Sequence, residues 1–295
     1  MAIFLIAFVV LLVIGVPISI SIGASAILGC LSLGYPLVVI GQKMVSGVDS
    51  FLLIAVPLFI LAGNLMNAGK ITEKIFDACK ELVGWIPGGL GHANVVASVI
   101  FAGMSGSAVA DAGGLGAIEM EAMTKNGYDE EFSGAVTAAS SVIGPIFPPS
   151  IPLIIYGSVA SVSVDRLFMG GVVPGLLMGV LLMVLILWYA IRRKYERHAF
   201  CLKNFLKKTF YGIPAFLTPL IILSGFTLGW FTPTEASSIA VIYSLVISLL
   251  VYRTMDWESF KKCLKESAIS SANTLFIIGT STLFTYVMAK EGISR

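Results

Sequence analysis

The stretch of residues 101–128, FAGMSGSAVADAGGLGAIEMEAMTKNGY, holds most of the polar side chains that could bind an ion or a small polar ligand. It is too polar and too rich in glycine to cross lipid, yet it lies between two apolar segments. Backbone that is not a through-going helix persists at membrane depth only where protein buries it or where it lines a wet cavity. A helix–turn–helix that dips in and returns to the same side meets that condition. The pattern predicts a re-entrant hairpin over 103–128 with its turn near Met104–Ala108. Gly103, Ser105, Gly106 and Ser107 permit a tight backbone there and offer hydroxyl and carbonyl oxygens. Such oxygens suit a hard, weakly hydrated cation such as Na⁺. Half-helix C-terminal carbonyls can hold the cation, while half-helix N-termini present N–H groups to an anion.

A second break, GPIFPPSIP (Gly144–Pro152), is expected to supply the opposing wall. Pro145, Pro148, Pro149 and Pro152 have no backbone N–H, which frees nearby carbonyls, and Ser140, Ser141 and Ser150 add hydroxyls. Glycine and serine in membrane helices also serve close packing. It is the succession of the two motifs that favours a site. Asp111, Glu119 and Glu121 lie in or beside the hairpin, and an acid within a membrane is a functional candidate. Asp111 is expected either to cap the hairpin or to act as an electrostatic partner of the site, and Glu121 to reach solvent. Asn64 and Asn67 are expected to cap or to bond between helices. Glu235 is expected to open a helix after Thr232 or Thr234.

The elements that must position these residues are membrane helices. Hydrophobic residues form 57% of the 295-residue chain and Asp, Glu, Lys and Arg only 12%, against about a quarter charged in soluble domains. Spanning segments of roughly 20 residues are predicted at 2–33, 51–68, 89–102, 130–160, 170–191, 212–230, 235–253 and 267–289. The first is read as one helix, kinked near Gly15–Pro17, and as too long and insufficiently basic for a signal peptide. Segments 71–83 and 256–266 are read as interfacial amphipathic helices, the former with Ile71, Ile75, Cys79 and Leu82 on one face. Cys30, Cys79, Cys201 and Cys263 form no CxxC, and the two histidines complete no metal set.

The basic run Arg192–His198, with Lys203, Lys207 and Lys208, follows an apolar helix directly and reads as a cytoplasmic loop, not a nucleic-acid patch. It places Arg253, Lys261, Lys262 and Lys265 inside as well, and the N-terminus outside. The order span, span, amphipathic helix, span recurs from residue 212 after an odd number of crossings. That is the arrangement of an inverted-repeat transporter. A first repeat over 1–200 and the start of a second over 201–295 are expected. The second stops before its own hairpin, so the chain is expected to be C-terminally truncated and incompetent for transport alone.

With these residues in view, the chain resembles the large membrane subunit of the tripartite ATP-independent periplasmic (TRAP) transporters, the DctM/SiaM type within the ion transporter superfamily. The matching strings are VPLFILAGNLMNAG (56–69), GWIPGGLGHANV (84–95), MSGSAVADAGGLG (104–116), NGYDEEFSGAVTAASSVIGPIFPPSIPLIIYG (126–157) and LTPLIILSGFTLGWFTPTEASSIAVIYSL (217–245). The resemblance implies an all-α integral membrane protein with an inverted-repeat elevator fold, a re-entrant hairpin and a broken helix, the second repeat being incomplete. It implies Na⁺-coupled uptake of organic anions such as C4-dicarboxylates or sialic acid across the bacterial inner membrane, with no other cofactor. Implied partners are a small four-helix membrane subunit (DctQ/SiaQ type) and a periplasmic solute-binding protein (DctP/SiaP type).

By motif, Ser105, Gly106, Ser107, Ser140, Gly144 and Pro145 would hold Na⁺, and Ser107, Ser141, Pro148, Pro149 and Ser150 would face substrate. Glu121 stands where the family usually has proline, which bears on the geometry of the second arm. The competing reading is a divalent-anion/Na⁺ symporter of the same superfamily that works without a binding protein. An intramembrane protease is disfavoured: no GxSxG or HExxH occurs, and His92 and His198 fit no dyad.

Overall fold

The structure, a computed structural model, describes residues 2–195 and 202–293. Glu196, Arg197 and His198 of the basic run, and Cys201, lie outside the described residues. Among the described residues every regular element is helical. Five of these helices are long and apolar enough to cross a membrane: Phe51–Ala68, Val164–Arg193, Leu202–Phe226, Pro233–Val251 and Trp257–Lys290. The protein is a multi-pass membrane protein.

The chain forms two compact units, one of residues 1–53 and 268–295, the other of residues 54–267. They are cut by packing, whereas the division near residue 200 concerns a repeat in the order of elements. The first unit holds α1 (Ala2–Val13), α2 (Ile18–Ser32), α3 (Leu37–Val48) and the end of α14 (Trp257–Lys290). The single kinked helix expected over 2–33 is instead two helices that fold back on each other. Gly15, at φ +87°, and Pro17 make a turn, and a Cβ added at Gly29 would lie 3.2 Å from Phe4 Cβ. Phe284 receives Phe4 and Phe8, with ring centroids 5.3 Å apart in each pair. Together with Ala26, Cys30, Leu283 and Val287 these side chains make the core of this unit. Helix α3 was not expected; its run of only 12 residues falls below a spanning length.

In the second unit, α4 (Ala55–Ala68) leads into α5 (Ile71–Val83), which has the predicted bounds. Its Ile71, Ile75 and Cys79 are buried as expected, but Leu82 is 45% exposed and Phe76 takes its place inside. Helix α11 (Val164–Arg193) is longer than the span expected at 170–191. Helix α12 (Leu202–Thr227) starts ten residues before the span expected at 212. Its early start brings Lys208 within 3.1 Å of Glu81 and 3.6 Å of Asp77 on the acidic face of α5. Helix α13 (Pro233–Val246) opens on a capping box in which Thr232 and Glu235 satisfy each other's backbone N–H groups, as expected. The amphipathic helix and separate span predicted over 256–289 are one helix, α14. The sequence KESAISSANT contains no Gly or Pro to end it.

Candidate functional site

Helix α6 (Gly89–Ser105) runs without interruption past residue 102, so the short span expected at 89–102 is the first arm of the hairpin. At 1.5 Å per residue it is about 25 Å long. It ends where Gly106 turns left-handed (φ +60°) and donates its N–H to Ala102 O at 3.3 Å. Ser107, in extended conformation, caps the return: its Oγ accepts the Ala110 N–H at 3.3 Å. The second arm is α7 (Ala108–Ala110), a π-helical turn (Asp111–Leu115) and α8 (Gly116–Lys125). The hairpin therefore begins at Gly89, not 103, while its tip lies within the predicted Met104–Ala108. Helix α8 passes straight through Glu121, which is exposed and paired with Lys125.

The second motif breaks as predicted. Helix α9 (Glu130–Ser141) stops, α10 (Ile151–Ala160) begins, and 142–150 is not regular helix. Ser150 caps α10: its Oγ accepts the Leu153 N–H at 3.3 Å and donates to Pro145 O at 2.5 Å.

Tip and break meet backbone to backbone. Ile151 N–H donates to Gly106 O at 3.3 Å. A Cβ at Gly106 would sit 3.0 Å from Ile151 N, and one at Gly144 would sit 3.2 Å from Ser107 C and 3.3 Å from Ala108 N. From α4, Gly63 admits Ser105 closely, a Cβ there falling 3.2 Å from Ser105 Cβ. The structure thus brings Gly106 and Ser107 against Gly144, Pro149 and Ile151, while Ser105 lies against Gly63. Pro148 is buried beside them and Pro145 is partly buried.

Ser140 and Ser141 serve a different set of contacts. Ser140 Oγ donates to Asn94 Oδ1 at 2.7 Å and accepts from Ser98 Oγ at 3.1 Å, while Asn94 Nδ2 donates to Thr137 Oγ1 at 2.8 Å. Ser141 Oγ donates to Thr137 O at 2.7 Å. This row of paired hydroxyls and amide ties α6 to α9. Asn94, Ser98 and Thr137 were missed in the sequence, although polar residues four apart on α6 signal a shared face.

Among the buried oxygens without a hydrogen-bond partner, five lie on the hairpin: Ser105 Oγ, both carboxylate oxygens of Asp111 and both of Glu119. All three residues are at most 1% exposed. The hydroxyls of Ser98 and Ser141 border Asp111, but both donate elsewhere. Of the two roles open to Asp111, capping falls to Ser107 instead. Asn67 Nδ2 donates to Ala110 O at 3.3 Å and Asn64 Nδ2 to Ser267 Oγ at 2.8 Å, so both asparagines bond between helices as expected.

This hairpin and break lie within a sequence match that covers nearly the whole chain. Residues 5–295 match the family described as tripartite ATP-independent periplasmic transporter, DctM component. The chain belongs to that family. Among curated relatives of this DctM component, the sialic acid TRAP transporter large permease protein SiaM of Vibrio cholerae is 43% identical over 261 residues, which are 86% of this chain and 60% of the relative. The sialic acid TRAP transporter permease protein SiaT of Haemophilus influenzae is 44% identical over 258 residues, 86% of this chain and 41% of the relative. The C4-dicarboxylate TRAP transporter large permease protein DctM of Pseudomonas aeruginosa is 36% identical over 256 residues, 86% of this chain and 60% of the relative. The chain thus spans less than two thirds of the length of these relatives. They are permeases, not enzymes.

Proposed function

We propose that this DctM component acts in the large permease subunit of a Na⁺-coupled importer of organic anions, of the C4-dicarboxylate or sialic acid type. The carrying observation is a backbone-built hairpin tip that ends on a buried, unpartnered hydroxyl, that of Ser105, with the buried carboxylate of Asp111 on the returning arm. A buried polar group without a partner costs about 1–3 kcal/mol, so such groups persist where a ligand completes them. Hydroxyl and carboxylate oxygens are the donors a hard cation takes, and the residues present fit Na⁺. Ser105 and Asp111 would hold the ion. Gly106 and Gly144 let the two backbones close around it, with Ser107 and Pro145 at the edge. Ser140, whose hydroxyl is already paired, supports the site through α9. Ser107 on the tip and Pro148, Pro149 and Ser150 on the facing break, with Ser141 beside Asp111, are read as one wall for the anion.

In this reading the subunit works by an elevator motion of inverted repeats in the bacterial inner membrane. A small four-helix subunit accompanies it, and a periplasmic binding protein delivers substrate. The tripartite and periplasmic description of the matching family, and the large-permease names of the relatives, support a partner subunit and a binding protein. The test is uptake by the assembled transporter in proteoliposomes as Na⁺ is varied. Ser105→Ala and Asp111→Asn should each raise the Na⁺ concentration for half-maximal uptake by about tenfold or abolish uptake. Unchanged Na⁺ dependence in both would refute the assignment.

A further inference from the structure

Where the hairpin's second arm ends, the loop 126–129 meets the C-terminus of α11 around an open cavity of about 770 Å³ lined by Lys125, Asn126, Gly127, Asp129, Arg193, Lys194 and Tyr195. Three cations face one carboxylate there. That carboxylate is already engaged: Asp129 accepts from Tyr195 Oη at 2.7 Å and is ion-paired with Arg193. The Tyr195 hydroxyl first, with Arg193 assisting, holds the Asp129 carboxyl below its usual range, so it stays ionised and bound to these two partners. Tyr195 stacks on Tyr128 with centroids 4.2 Å apart, which makes the wall rigid. Glu130 and Glu131 are exposed and outside the lining. Lys125 bonds Glu121 one turn back, but an exposed pair of this kind is worth little and yields readily to a stronger anion.

The helix that ends at this cavity carries an exposed apolar face. Leu177, Val180, Leu181, Val184, Trp188 and Ile191 are all exposed along one face of α11, and that face ends at Arg192, whereas Arg193 turns towards Phe132 and Tyr189. Trp188, with Arg192 stacked 4.0 Å over its ring, marks the level where amphipathic rings sit against lipid headgroups. A cationic pocket at the end of an exposed apolar helix, at the level Trp188 marks, suits the headgroup and chains of an anionic lipid.

We propose that this cavity binds the phosphate-bearing headgroup of an anionic phospholipid, its chains lying on α11 and its phosphate held by Lys125 and Lys194. The lipid bridges the hairpin's second arm to α11 and acts as a site distinct from the tip.

The test uses this chain purified in uncharged detergent, with retained lipid counted by native mass spectrometry. Phosphatidylglycerol, phosphatidylcholine with the same chains, and inorganic phosphate are the probes. Phosphatidylglycerol should be retained about tenfold more strongly than phosphatidylcholine, and Lys125→Gln with Lys194→Gln should bring the two within about twofold. Both lysines are exposed, so the variant should keep its melting temperature without lipid. Should the double variant unfold, Lys194→Gln alone is expected to give a preference between these values. Equal retention of the two lipids by the unaltered chain overturns the proposal. So does an undiminished preference in a folded variant, or displacement of the lipid by equimolar inorganic phosphate, which would make it a site for free anions.

Discussion

Two regions of the second unit are built from the same small polar residues and use them in opposite ways. Between α6 and α9, Asn94, Ser98, Thr137 and Ser140 give and accept hydrogen bonds among themselves at 2.7–3.1 Å. At the hairpin, Ser105 is just as buried, yet its hydroxyl has no hydrogen-bond partner. The first arrangement is closed and stabilises helix packing; a bond made there contributes about 1 kcal/mol and costs more when one partner is removed. The second is open and costs stability unless something else completes it. Composition cannot separate the two. The unpaired hydroxyl, not the presence of serine, is what separates Ser105 from Ser140.

Four substitutions test that contrast, ordered by their expected effect on stability. Gly106→Val forces a β-branched side chain into a left-handed position and against the backbone at Pro149 and Ile151. It should lower unfolding stability by at least about 2 kcal/mol and abolish uptake by the assembled transporter. Stability within error of the parent would mean that tip and break do not touch. Ser140→Ala leaves Asn94 Oδ1 without its donor and should cost about 1–3 kcal/mol in denaturant unfolding, with the Na⁺ half-saturation unmoved. A shift in Na⁺ dependence there would place the row inside the ion site.

Ser107→Ala removes a helix cap and should cost about 1 kcal/mol, with a modest loss of substrate affinity measured by uptake. Ser105→Ala is the sharpest case. It deletes a hydroxyl that bonds to nothing, so stability should change by less than about 0.5 kcal/mol or improve, while Na⁺ half-saturation rises. If Ser105→Ala destabilises as Ser140→Ala does, the contrast between the regions is lost.

Much of the fold and part of the site were legible in the sequence because their causes are local. Gly106 and the PPS stretch interrupt helices by their own backbone chemistry. Thr232 with Glu235 announces a helix start, and α5 shows its apolar face at helical spacing. The turn at Gly15–Pro17 was visible too, but not its consequence. A Gly-Val-Pro between apolar runs is compatible with a kink or a reversal, and packing chose the reversal: Gly29 is small enough to admit Phe4, and Val287 closes on it from the far end of the chain. The start of α12 at residue 202 likewise matches Lys208 to Asp77 and Glu81 on a helix more than a hundred residues earlier.

What the sequence by itself determined is where helices can run, where they must break, and that the breaks carry oxygens. Those properties follow from φ/ψ preference and hydropathy within a few residues. Which oxygens are left over was decided only by the tertiary structure. Ser140 is paired by Asn94 across 46 residues and Ser105 by nothing. A hydrogen-bond partner is set by which helix faces meet in the folded chain.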